Sequence, residues 1–181
     1  MHQDDTVFAS LQAFGAGEFK HINGSLFTHL SGTAALLQAW GATDVLCRAG
    51  LYHAAYGTDD YEASLITLDR RQAIAELIGA EAEAMVYLYC ACDREKYWPR
   101  IGTAQQYWFV DRFQQSEYAI DAHQLTRFCE LTLANELDIM MHCAEGRAQQ
   151  DDELIVLFNR MEPHVSRAGF LAYQRHVHRI Q

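Results

Sequence analysis

Nowhere does the chain carry about 18 uninterrupted apolar residues, so no membrane-spanning helix is expected. The longest apolar run, Ala84 to Cys92, is cut off by Asp93-Arg94-Glu95. Proline is scarce, with 2 residues, and the 11 glycines follow no period, which excludes a fibrous repeat or a proline-rich disordered chain. Basic residues are few: 14 Lys and Arg stand against 24 Asp and Glu, giving a net charge of −10. Phosphate backbones are held by Lys and Arg, and no basic patch exists here, so nucleic acid is not an expected partner. Glycine-rich phosphate loops and the Gly-x-Ser-x-Gly nucleophile elbow are also absent. The opening residues Met1-His2-Gln3-Asp4-Asp5 contain two acids and no Lys or Arg, so no secretory signal is expected there. Five cysteines, an odd number at irregular spacings, fit reduced thiols in a cytoplasmic protein better than a disulfide framework. Cys90-Ala91-Cys92 has one intervening residue where a zinc or redox pair has two, and reads as buried thiols. Cys47 stands six residues before His53, off its helix face, so a Cys–His nucleophile is not expected.

What the sequence does contain is helix. Its 181 residues, half of them hydrophobic, suit one domain over residues 1–181. Leu26, Phe27, Leu30, Ala34, Leu37 and Trp40 recur at three- and four-residue spacings, started by Asn23-Gly24-Ser25 and stopped by Gly41. A second helix is expected from about Thr43 to Tyr56, with Thr43 or Asp44 as cap and Gly57 as terminator. Asp69 is expected to cap a helix over 70–78 that stops at Gly79. Ala80 then opens a helix to about Asp93 that is apolar nearly all round and so central. Residues 95–116, with Pro99, Gly102 and many aromatics, read as a long connector with a helical turn. Strong periodicity returns from Asp121 to His142. After a polar break at Gly146–Asp152, two terminal helices are expected, Asp152–Met161 and Pro163–His178, with Pro163 at a first helical position. The expected fold class is all-α.

Nine histidines invite a metal reading. His2, His123, His142, His164, His176 and His178 lie near chain ends, helix ends or charges and read as surface groups. His21, His29 and His53 differ. His29 sits among core-facing residues in Leu26-Phe27-Thr28-His29-Leu30, and His53 in a nearly uncharged stretch from Ala49 to Tyr56. A histidine in a dry environment has to be hydrogen-bonded or ligating, because an unpaired buried polar group costs about 1–3 kcal/mol. His21-Ile22-Asn23-Gly24 either caps the first helix through Asn23 or folds His21 over the same pocket. The aromatic connector, Lys96-Tyr97-Trp98-Pro99-Arg100 and Gln106-Tyr107-Trp108-Phe109, reads as core filling or as a lid over an organic ligand. For a phosphorylated substrate Arg94 and Arg100 are the best-placed anion binders; the alternative is that each pairs with nearby acids.

His29, then Ala49-Gly50-Leu51-Tyr52-His53, then Leu133-Ala134-Asn135-Glu136-Leu137 together resemble the HD-domain superfamily, and within it the RelA/SpoT-type (p)ppGpp hydrolase domains. The helix–Gly79–helix pair fits the element between the second and last of these. The similarity covers Ser25–Asp93 and Leu131–His142. His21–Gly24 and Gly50–Thr58 also resemble patterns of an uncharacterised HD-like family. The resemblance implies an HD-like helical bundle and metal-assisted hydrolysis of a small organic or phosphorylated metabolite, with iron-dependent oxidation as a variant. It implies metal ligands at His29, His53 and Asn135; His21, if its turn folds over the pocket, is the further ligand candidate. Two positions depart from it: Ala54 and Asn135 stand where HD enzymes place aspartates. The site therefore loses two charges, which disfavours hard ions and turns attention to other carboxylates, Asp59, Asp60, Asp93 and Glu136, as catalytic candidates. The expected cofactor is a divalent ion (iron, zinc or manganese) and the expected partner a small molecule. The rival from another class is a metal-free module that binds a metabolite or a protein.

Overall fold

Four of the described helices begin where a side-chain oxygen accepts from one of the first amides. The structure, a computed structural model, describes residues 20–21, 24–60, 64–142 and 152–180. A two-residue antiparallel pair, β1 (Lys20–His21) and β2 (Gly24–Ser25), runs straight into helix α1 (Leu26–Ala39). The buried residues of α1 are Leu26, His29, Leu30, Thr33 and Leu37, one stripe at helical spacing that faces the core. Thr43 opens α2 (Asp44–Tyr52), its hydroxyl accepting from the Leu46 amide at 3.3 Å. That helix stops four residues before the expected Tyr56. The Gly50 carbonyl, which a continuing helix would offer to the Ala54 amide, instead accepts from His53 Nδ1 at 2.7 Å. Residues 53–56 then turn, with the Ala55 and Gly57 amides donating back to Tyr52 and Ala54.

A 3-10 turn (Leu68–Arg70) leads into α3 (Arg71–Ile78) with no side chain capping it, so Asp69 does not play the role the sequence suggests. Gly79, at φ +94°, turns the chain into α4 (Ala80–Ala91); a side chain there would be strained. The α4 helix ends two residues early because Asp93 caps the next element, α5 (Arg94–Tyr97), by accepting from the Lys96 amide. After a 3-10 turn at Trp98–Arg100, the expected connector is in part a β-hairpin, β3 (Trp108–Asp111) paired antiparallel with β4 (Ser116–Ala119). Arg112 N donates to Ala91 O and Asp93 N to Val110 O, which bind the hairpin to the end of α4. The fold is mostly helical, with these short strands as its departure from the all-α expectation.

Helix α6 (Ala122–His142) starts with reciprocal caps. The Gln124 amide donates to Asp121 Oδ1 at 2.7 Å, and the Asp121 amide donates to Gln124 Oε1 at 3.0 Å. Every residue of α6 from Phe128 to Asp138 is buried, so this helix, with α4, is central. It packs on α1, α2, α4 and, beyond α7 (Asp152–Met161), on α8 (Arg167–Ile180). Pro163 lies in a 3-10 turn (Glu162–His164) and not at the head of α8, which is capped by the Ser166 hydroxyl accepting from Gly169 N. Phe109, Tyr97, Tyr89 and Phe128 form an aromatic cluster with ring centroids 4.8–6.0 Å apart. The polar break at 146–151 lies outside the described residues. No helix among the described residues is long and apolar enough to cross a membrane.

Candidate functional site

Three helices deliver one polar cluster into the interior. His29 comes from the second turn of α1, His53 from the residue after α2, and Asn135 from the middle of α6; they are 4%, 1% and 3% exposed. His29 Nε2 lies 3.2 Å from His53 Nε2 and 2.9 Å from Asn135 Oδ1. The outer nitrogens are committed. His53 Nδ1 donates to the Gly50 carbonyl, and His29 Nδ1 donates to Asp138 Oδ2 at 2.7 Å. The amide of Asn135 is oriented by Nδ2, which donates to Glu136 Oε1 at 2.8 Å.

A neutral imidazole carries one proton, and each ring spends it outward at Nδ1. With those protons outward, His29 Nε2 turns an acceptor lone pair toward His53 Nε2 and Asn135 Oδ1. A cation, either an added proton or a metal ion, would satisfy such a trio of acceptors. Burial holds the His53 imidazole well below its usual range, and His29 beside it pushes the same way, against the Gly50 hydrogen bond.

Behind Asn135 the network continues to the surface. Arg94 Nη1 donates to Glu136 Oε1 at 3.1 Å and to Asp60 Oδ2, while Nη2 donates to Tyr89 Oη at 3.2 Å. The Tyr89 ring stands edge-on to His53, centroids 5.4 Å apart. Burial pushes the Glu136 carboxyl above its ordinary 4.5, only partly countered by Arg94. Burial works against the Arg94 charge, but Tyr89, Glu136 and Asp60 outweigh it and hold its pKa high. Arg94 also stacks over Trp98, 4.8 Å to the ring. Beyond it opens a cleft of about 820 Å³, whose walls include Asp60, Trp98, Asp152, Leu157 and Arg160.

Of the sequence candidates, His29, His53, Asn135 and Glu136 are brought together. The backbone of His21 lies in β1; its side chain is outside the described residues. Asp59 accepts from the Arg94 amide and Asp60 from its guanidinium, so both hold α5 in place and neither reaches the histidines. Asp93 caps α5 and pairs with Lys96 Nζ at 2.6 Å, which places it on the surface side. Arg94 and Arg100, the candidate anion binders, are already paired, Arg100 with Glu117. His142 is an exposed surface group, as expected, and its Nδ1 donates to the Asp138 carbonyl. Asp138 itself was absent from the sequence candidates. Its signal was its place three residues after Asn135, on the same face of α6. Among the described residues, no three His, Cys, Asp or Glu side chains form a metal-binding group, so any ion here would rely on the Asn135 amide.

The buried cysteines are inert. Cys90 donates to the His53 carbonyl at 3.0 Å, and burial pushes its pKa up to about 12.

A family model described as a domain of unknown function (DUF6817) matches residues 10–94, just under half of the chain. That span includes His29, His53 and Arg94 and ends before the helix that bears Asn135, Glu136 and Asp138. No curated protein and no solved structure matches the chain.

Proposed function

We propose that this is an enzyme of the HD type in which His29, His53 and Asn135 hold a divalent ion and an organic ligand enters from the cleft beside Arg94. The observation that carries the reading is the 3.2 Å approach of two Nε2 atoms whose Nδ1 protons are both engaged elsewhere. Two imidazoles and an amide oxygen suit zinc or iron(II); manganese, which prefers carboxylate oxygen, fits this donor set less well. When bound, the ion supplies Lewis acidity for a hydrolytic step. Glu136 is the carboxyl beside the cluster. Its raised pKa brings it closer to neutral pH, where a carboxyl can both take and give a proton. Arg94 fixes Glu136 and forms part of the cleft wall. The cleft carries five carboxylates, Asp59, Asp60, Glu95, Asp152 and Glu153, against the guanidiniums of Arg94 and Arg160. That balance supports a neutral or cationic organic ligand over a multiply phosphorylated one.

Metal content per chain, measured by plasma mass spectrometry on tag-free wild type, His29→Ala and His53→Ala, tests the reading. Near-stoichiometric zinc or iron in the wild type and none in either variant is expected. No metal after anaerobic reconstitution would overturn it. One observation favours the rival, a metal-free module binding its ligand in the cleft: Arg94 already places a fixed cation between the cleft and the histidine cluster. On that reading the same two variants keep ligand affinity.

A further inference from the structure

We infer that Asp138 is the positioning residue of the histidine cluster, and that Gly32 is the notch that admits it. The inference rests on the reading of His29, His53 and Asn135 as a metal site. The carboxylate and the His29 ring are both almost fully buried, their side chains 4% and 3% exposed, and they meet at 2.7 Å across 109 residues of chain. Helix α1 supplies both the ring and the space for its partner. Gly32 lies one turn beyond His29, and a Cβ built there would stand 2.0 Å from Asp138 Oδ1 and 2.8 Å from its Cγ. Helix α6 likewise supplies two groups from one face, Asn135 to the inner nitrogen and Asp138 to the outer one. On its far side Oδ1 lies 3.4 Å from His142 Nδ1, one turn further along α6.

The chemistry gives this placement a purpose beyond packing. Left to itself, the His29 ring has a better tautomer available. A proton on Nε2 would face Asn135 Oδ1 and His53 Nε2, both acceptors, and would relieve the acceptor conflict without any cation. An ionised carboxylate at Nδ1 accepts and cannot donate, so it keeps that proton on the outer nitrogen. Asp138 therefore holds the inner lone pair of His29 toward the site. It touches no ligand of the site other than His29, so it acts through that ring.

The test is long-range 1H–15N NMR of the histidine rings in metal-free protein, together with zinc(II) titration of wild type, Asp138→Ala, Asp138→Asn and Gly32→Ala. In the wild type His29 Nδ1 carries a proton. In Asp138→Ala the proton moves to Nε2, leaving Nδ1 bare, and zinc affinity falls about 10–100-fold. In Asp138→Asn an amide oxygen still accepts from Nδ1, so the tautomer is kept and most of the affinity returns. Gly32→Ala displaces the carboxylate and reproduces the Asp138→Ala spectrum. Should Asp138→Ala fail to fold, Asp138→Asn and Gly32→Ala carry the comparison. A protonated Nδ1 in Asp138→Ala or Gly32→Ala, or zinc binding in Asp138→Ala within twofold of wild type, overturns the inference. Absence of zinc binding in the wild type would overturn the proposed metal site instead, and the ring spectra would still decide the role of Asp138.

Discussion

Replacing Arg94 by Met tests whether the salt bridge between the cleft and the histidine cluster holds the domain together. The side chains of Arg94 and Glu136 are 9% and 10% exposed, so neither charge retains much water. With the guanidinium gone, the Glu136 carboxylate keeps the Asn135 amide as a donor, and Tyr89 Oη loses its donor. Removing one partner of such a pair costs about 3–5 kcal/mol, which for a chain of this size lowers Tm by about 6–20 °C. The loss depends on pH. Glu136 already has a folded pKa above its ordinary 4.5, so its contribution to stability is fully present below 4.5 and is lost as pH rises through the folded value. Without Arg94 that folded value rises further, and the carboxyl escapes part of the penalty by taking a proton. Urea unfolding of Arg94→Met should therefore show a large deficit against wild type at pH 7 and a smaller one at pH 5. Adding Glu136→Gln should recover much of the deficit at pH 7. A single variant within about 1 kcal/mol of wild type, or a deficit equal at both pH values, would refute the reasoning.

Two further expectations concern the core and the imidazoles. Phe128→Ala removes the ring common to the Tyr89, Tyr97 and Phe109 contacts and should cost about 3–5 kcal/mol by urea unfolding; a loss under about 1 kcal/mol would mean the aromatic cluster closes up around the gap. His53 has a folded pKa well below its ordinary 6.5, so its contribution is present above pH 6.5 and lost as pH falls toward the folded value. With a chelator present, the stability difference between wild type and His53→Gln should shrink from pH 7 to pH 5. Parallel pH profiles would contradict the burial argument.

The helices legible in the sequence are those whose pattern is local. Helix α1 shows its stripe from Leu26 to Leu37, and the glycines at 41 and 79 mark real turns. The hairpin was not legible because β3 buries Phe109, Val110 and Asp111 in succession, so four residues show no alternation for a period-two reading to find. The end of α2 was missed because a ring nitrogen, and not a proline or glycine, competes for the Gly50 carbonyl. At the site, the resemblance carried His29, His53 and Asn135 to one point. Asp59, Asp60 and Asp93 follow His53 or α4 in the chain, but all three are taken up by α5, whose amides and cations they satisfy. Asp138 is an acid near the end of a long helix, a position that usually means solvent. Glycine is a poor helix former, so Gly32 in mid-helix was the one sequence sign that something approaches α1 closely there.

Helix α6 carries Phe128 into the aromatic cluster and Asn135, Glu136 and Asp138 into the polar one, on a single rod of 21 residues. Each residue of a helix advances the azimuth by about 100°, so one inserted or deleted residue between Phe128 and Asn135 would turn one of these clusters away from its partners. The polar site thus has no stability separate from that of the core. The buried amides of α6 are expected to belong to the last unit to open, exchanging hydrogen with solvent only on global unfolding.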